Sequence, residues 1–185
     1  MTLANRITLV RILLIPVVLV LIMMYEKDKP HLRHAALAIF VIAAVSDALD
    51  GFVARAFEQK SKLGAVLDPL ADKLLINLSF VFLAVNREFV QRIPIWFPVI
   101  VLSRDVIIVL GSYLINEFFG PLRVRPRLSG KLTTVFQMAT IVGVLLEARI
   151  SAFLVYSTVA LSVISFFVYL RDGLKQVGSE DISGG

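Results

Sequence analysis

Four aspartates, Asp47, Asp50, Asp68 and Asp72, stand in the stretch SDALDGFVARAFEQKSKLGAVLDPLADK, residues 46–73. Residues three or four apart share a face of a helix. Asp47 and Asp50 are three apart, and Asp68 and Asp72 four apart, so each pair can project together from its own helix. Four unpaired anions brought close in a low dielectric repel strongly. Either some take up protons or cations hold them together. Arg55 alone cannot balance four charges, and Lys73 points about 100° away from Asp72 on a helix. All-oxygen donors select hard cations such as Mg²⁺, Mn²⁺ or Ca²⁺, and two divalent ions would match the charge. The plain structural alternative is a set of interfacial helix caps. It suits one aspartate better than four at this spacing, because carboxylates at membrane depth mark functional sites by default.

Neighbouring residues extend the pattern. Gly51 would let a ligand approach the backbone, or pack a helix. Ala54 keeps the same face shallow. Arg55 could clamp a phosphate. Gly64 suits the turn into the next helix, and Pro69 is expected near that helix's first turn.

The elements that must hold these residues are apolar. Of 185 residues 58% are hydrophobic and 18% charged, against about a quarter charged in a soluble globular protein. Apolar runs near the ~20 residues needed to cross a bilayer recur along the chain. The expected fold is all-α, a polytopic membrane protein of six transmembrane helices near residues 7–24, 34–55, 63–85, 94–118, 132–146 and 152–170. The fifth is short and starts earlier if Lys131 snorkels. No repeat or long linker divides the chain, so residues 1–171 are expected as one membrane domain and the polar residues 172–185 as a disordered tail. Arg11 interrupts the first apolar run, and no small-residue cleavage site follows it, which argues against a secretory signal.

Eleven of the 19 lysines and arginines fall on the face carrying the N-terminus, among them Arg6, Arg11, Arg55, Arg123, Lys131 and Arg171. Six, including Lys27, Arg33 and Arg149, fall on the other. This bias puts both termini in the cytoplasm and all four aspartates near the cytoplasmic surface. The net charge of +5 fits anionic lipid better than nucleic acid. With no cysteine, disulfides and thiolate metal sites are excluded.

Written out from Asp47 to Asp72, the residues read D-x2-D-G-x2-A-R-x8-G-x3-D-x3-D. This resembles the signature of the CDP-alcohol phosphatidyltransferases, and the length and six spans are similar too. The resemblance implies an integral enzyme, of bacterial inner-membrane type, that moves a phosphatidyl group from CDP-diacylglycerol to an alcohol and releases CMP. It implies two Mg²⁺ or Mn²⁺ ions on Asp47, Asp50 and Asp68, shared by Asp72, with Asp72 as general base. Gly51, Ala54, Arg55 and Gly64 would line the cytidine diphosphate. The opening LANRITLVRILLIP is similar to the family's L-P-N-x-L-T-x-x-R, with Ala4 in place of proline. Asn5 and Thr8 are accordingly candidates for the nucleotide, or else a cap and a helix surface. Membrane lipids as neighbours and a homodimer are further family expectations.

Two later stretches bear on the acceptor. Arg104 and Asp105 lie inside the fourth span, where a charge needs a polar cavity or an ion pair. The stretch RVRPRLSGKLTTVFQ offers Arg123, Lys131 and Thr134. Phosphatidylglycerophosphate synthases of the family carry a similar G-K-x-K-T-x-x-Q; here Gly130, Lys131, Thr134 and Gln137 match, and Thr133 replaces the second lysine. That substitution and the SRD at Ser103–Asp105 look more like the family's cardiolipin synthases, whose acceptor is phosphatidylglycerol. The overall layout favours glycerol 3-phosphate. A rival of another class, a small cation transporter, would be expected to show repeated halves with interrupted helices; neither is visible.

Overall fold

The computed structural model describes residues 3–56, 62–118 and 128–180, with side chains for residues 10–46, 71–118 and 128–174. Six helices follow one another: α1 Leu3–Met23, α2 Pro30–Ala56, α3 Lys62–Val85, α4 Trp96–Phe118, α5 Leu128–Leu145 and α6 Ser151–Glu180. All six expected segments are helical. Among the described residues α4, α5 and residues Ser151–Leu174 of α6 are long and apolar enough to cross a membrane, while Val10–Met23 and Pro30–Ser46 are shorter apolar helices. In α2 and α3 the carboxylates interrupt the apolar run. Arg123 lies outside the described residues.

The chain forms two compact units. The first holds Met1–Ile95 and the α5–α6 turn, Ile141–Ser151; the second holds Trp96–Thr140 and Ala152–Gly185.

In the first unit α1 packs against both α2 and α3. Its buried stripe, Ile15, Val18 and Ile22, meets Ala36, Phe40 and Ala43 of α2 and Leu75, Ile76, Phe80 and Leu83 of α3 in the core. Small residues such as Ala36 and Ala43 let helix backbones approach, as membrane packing requires. Pro30 opens α2 where its missing N–H costs nothing. Pro16 lies inside α1, a position membrane helices tolerate when neighbours satisfy the freed carbonyl. α3 begins at Lys62, so Pro69 is its eighth residue, two turns in and beyond the first turn expected for it.

One end of this unit is tied by a polar cluster. Asn86 donates from Nδ2 to the carbonyls of Ile22 (2.7 Å) and Tyr25 (3.0 Å), closing the end of α1. Tyr25 stacks on Phe89 with centroids 4.5 Å apart and lies under the Arg33 guanidinium. Its hydroxyl donates to Glu147 Oε1 at 3.0 Å, and Arg33 forms an ion pair with the other oxygen of that carboxylate. Burial pushes the Glu147 carboxyl up, but hydrogen bonds from Arg33 and Tyr25, the Arg33 charge and the Val90 N–H outweigh it, so the carboxyl sits below its ordinary value. Burial, followed by the bond to Glu147 and its charge, raises the Tyr25 phenol. Glu147 has φ 52°, the left-handed conformation that stops a helix; Ala148 N–H then reaches back to Gly143 O at 2.9 Å.

The second unit holds α4, most of α5 and most of α6. Arg104 meets Ser165, Ser112 meets Tyr169, and Trp96 meets Tyr156, so α4 and α6 run parallel. Thr133 reaches Leu161 O at 3.3 Å, and the Thr140 and Thr158 hydroxyls are 2.8 Å apart, so α5 runs against α6. Thr158 can donate to Thr140 while Thr140 donates to Phe136 O at 2.8 Å. α6 continues through Asp172 to Glu180, into residues expected to be irregular. A buried Gly173 explains the continuity: a Cβ there would lie 3.0 Å from Ile115 Cδ1, so the absent side chain admits α4.

Candidate active site

The helix ends place the four aspartates. Tyr25 touches Arg33 near the start of α2 and Phe89 just past the end of α3. The start of α2 and the end of α3 therefore share one end of the first unit. Its other end holds the end of α2 and the start of α3, joined through residues 57–61, a link that reaches at most about 20 Å when extended. α2 and α3 are thus antiparallel. Asp47 and Asp50 lie in the last three turns of α2, and Asp68 and Asp72 in the first three turns of α3. Measured along each helix from the linked ends, the four sit about 9 to 15 Å inward. The two pairs occupy the same depth on neighbouring antiparallel helices.

Among the four, the Asp72 side chain is described, and it is half-buried, as is Lys73. Side chains of Asp47, Asp50, Gly51, Ala54, Arg55, Gly64 and Asp68 lie outside the described set, though all seven positions are helical. Asn5 and Thr8 are likewise helical in α1, without described side chains. Hence among the described residues no group of three or more His, Cys, Asp or Glu forms a metal cluster. The donor set itself, four carboxylates one turn apart in pairs, fits hard divalent cations and would hold soft metals poorly.

A match over residues 1–164 to the CDP-alcohol phosphatidyltransferase model decides the family. The chain belongs to the CDP-alcohol phosphatidyltransferases. It is similar to a CDP-diacylglycerol–glycerol-3-phosphate 3-phosphatidyltransferase of Aquifex aeolicus, 32% identical over 92% of this chain and 90% of that one. A probable phosphatidylglycerophosphate synthase of Mycobacterium tuberculosis is 30% identical over 95% and 83%. The cardiolipin synthase (CMP-forming) of Rattus norvegicus is 33% identical over 74% of this chain and 47% of its own. The chain thus spans about half the length of the cardiolipin synthases it matches.

In this phosphatidyltransferase the remaining candidates divide by helix. Lys131 is exposed and Thr134 half-buried on α5, three apart and so on one face. The Thr134 hydroxyl donates to Gly130 O at 3.3 Å, so toward a ligand it can only accept. Arg104 donates from one terminal nitrogen to Asp105 Oδ1 at 2.7 Å and from the other to Ser165. The α5–α6 register, with Thr133 against Leu161 and Thr140 against Thr158, puts Ser165 level with the first turn of α5. Arg104 and Lys131 therefore share one layer of the second unit.

Thr133, which replaces a lysine of the similar motif, is fully buried, its hydroxyl shared between Ser129 O (2.8 Å) and Leu161 O. Position 133 faces α6, and a lysine there would bury its ammonium between helices. Two buried polar residues stand out beyond the candidate site residues, Gln137, named only as a motif match, and Ser162, which the sequence did not single out. Gln137, wholly buried, has no partner for either amide atom, and Ser162 none for its hydroxyl. Their signal was available as polar side chains repeating at helical spacing along α5 (Thr133, Gln137, Thr140) and α6 (Thr158, Ser162, Ser165) within apolar spans.

Proposed function

We propose that the protein is an integral membrane enzyme that transfers the phosphatidyl group of CDP-diacylglycerol to glycerol 3-phosphate, releasing CMP, at the cytoplasmic side of six spans. The pairing of Asp47–Asp50 with Asp68–Asp72 at one depth on antiparallel helices is the observation that carries this.

Asp47, Asp50, Asp68 and Asp72 would hold two divalent cations, Mg²⁺ or Mn²⁺. Such ions, when bound, neutralise the pyrophosphate and the departing CMP. Gly51 and Ala54 leave room for the cytidine diphosphate along α2, Gly64 does so on α3, and Arg55 pairs with a phosphate. Asn5 and Thr8, one turn apart on α1, offer polar groups to the nucleotide. Asp72 takes the proton from the acceptor hydroxyl. The oxygen then attacks the phosphorus that carries diacylglycerol, and the bond from phosphorus to the CMP oxygen breaks. Positioning and charge neutralisation supply most of the acceleration, as in other phosphoryl transfers. Lys131, Arg104 and Thr134, with Arg123, would orient the acceptor, Lys131 and Arg123 facing its phosphate and Arg104, balanced by Asp105, its uncharged part.

A second acceptor, phosphatidylglycerol, is favoured by one observation. The buried Thr133 removes a cation that an anionic, water-soluble acceptor would use. The deciding experiment measures CMP release by the purified protein from CDP-diacylglycerol and Mg²⁺, offering glycerol 3-phosphate and phosphatidylglycerol separately. Release dependent on glycerol 3-phosphate is expected. Release with phosphatidylglycerol alone would move the assignment to cardiolipin synthesis. No release with either, in metal-replete protein, would overturn the transferase reading.

A further inference from the structure

Between the parallel helices α4 and α6 lies a cavity of about 250 Å³, walled by Val99, Ile100, Ile107, Val163 and Phe166, with the exposed Ser103 also lining it. Its walls are largely apolar, yet Arg104 and Ser162 also line it. Ser162 is fully buried and its hydroxyl has no partner; Arg104 Nε is buried and has none either, because the terminal nitrogens serve Asp105 and Ser165. Both groups can donate. A buried donor without an acceptor is costly, the more so where no water competes. The outer walls, Val99 and Ile107, are at least half exposed on a helix apolar enough to cross a membrane. The cavity therefore opens to hydrocarbon, not to water.

We propose that this groove is a binding site for a single phospholipid, with an acyl chain along the apolar walls and an ester carbonyl accepting from Arg104 Nε and Ser162 Oγ. Three observations choose this occupant. The walls require an apolar body. The two donors require an acceptor oxygen. Asp105 already balances the Arg104 charge at 2.7 Å, so a neutral ester suits the site better than a phosphate. Arg104 lies about 12 Å along α4 from Trp96, and charged side chains at such depth draw polar lipid groups inward by local thinning of the bilayer. The site stands whichever acceptor the transferase uses, and its test does not read catalysis.

The full chain in lipid nanodiscs would be irradiated with a phosphatidylcholine carrying a diazirine near the carboxyl end of one acyl chain, and labelled peptides would be mapped. Label is expected to be severalfold richer at residues 99–107 and 162–166 than at Val109 and Leu110, lipid-facing positions of the same helix. Ser162→Val, which removes a donor, and Ser103→Trp, which fills the groove, should each bring that excess down to the level at Val109. Should one variant fail to fold, the other still decides. Even labelling along α4, or an excess surviving in the folded variants, would show annular lipid only and overturn the proposal. An excess seen with a phosphatidylglycerol probe but not with phosphatidylcholine would show recognition of the head group and overturn the ester assignment.

Discussion

Glu147 offers the sharpest test of how the first unit is held. Replacing it by alanine removes the ion pair with Arg33, the bond from Tyr25 and the bond from Val90 N–H. The Arg33 and Glu147 side chains are 12% and 21% exposed, between the surface regime of about 0–1 kcal/mol and the buried regime, where breaking one partner costs about 3–5 kcal/mol. A loss of about 2–3 kcal/mol is expected for Glu147→Ala. Glycine separates the backbone from the side chain. At φ 52° a non-glycine residue carries about 1–2 kcal/mol of strain, partly offset by the roughly 0.4–1 kcal/mol that glycine's freer unfolded chain costs. Glu147→Gly should therefore be more stable than Glu147→Ala by about 0.5–1 kcal/mol. The carboxyl is held below its ordinary value of 4.5. Its contribution is thus complete above that pH and is lost as pH falls through the lower, folded value. Thermal unfolding in detergent from pH 7 to pH 3 would show wild type losing its advantage over Glu147→Gln only below about pH 4.5. Equal melting of wild type and Glu147→Ala, or an advantage that vanishes near neutrality, would refute the cluster as a stabilising tie.

Asp72→Asn should lower CMP release by about 10²- to 10⁴-fold, the usual contribution of a positioned base, with the melting temperature unchanged; a loss below tenfold would remove Asp72 from that role. Lys131→Ala should raise the KM for glycerol 3-phosphate while leaving that for CDP-diacylglycerol, and equal effects on both would place Lys131 outside the acceptor site. Chelation should abolish release, and Mg²⁺ or Mn²⁺ should restore it where Zn²⁺ does not; activity persisting in thoroughly stripped protein would refute the carboxylate–cation site. In a double-mutant cycle Thr140→Val and Thr158→Val should couple by about 0.6 kcal/mol, the typical value for such bonds in membranes. Strict additivity would mean that the 2.8 Å contact contributes nothing.

The six helices were legible because apolar runs of span length have few other solutions. Their ends were less so. The earlier start of α5 was legible only through Lys131, taken as a snorkelling residue; the helix begins at Leu128, and its polar face turns inward to Thr133 and Gln137 rather than to solvent. Gly173 reads as a breaker in sequence; inside α6 it is the residue that admits Ile115. The aspartate spacing was fully legible, because a one-turn repeat on two helices separated by a short link needs no coordinates to be recognised. Arg104 was legible as an anomaly but not as a partner of Ser165, a residue 61 positions away. Arg11 shows the limit of counting charges by face. Assigned to the cytoplasmic side by sequence, it is 1% exposed within α1, a burial that a loop-charge tally cannot detect.

The two units solve the problem of polar groups in an apolar chain differently, and the difference follows from what each must hold. In the second unit the hydroxyl bonds between α5 and α6 end on another hydroxyl or on a helix carbonyl, as those of Thr140 and Thr133 do. These are neutral bonds that fix helix register, and the charge that α4 carries, Arg104, is balanced by its neighbour Asp105. The first unit keeps its fixed ion pair, Arg33 with Glu147, at one end of α2, and its four aspartates toward the other. Ion pairs of this kind bring their own counter-charge. Four aspartates at one depth on neighbouring helices do not, so under the function proposed above their end of the unit would be stable in anionic form only with cations supplied from outside the chain. In the proposed function the same repulsion that makes such a cluster a poor structural device would make it selective for a pyrophosphate carried in with divalent ions, since the anionic ligand and the anionic site would each need the metal that the other helps to retain.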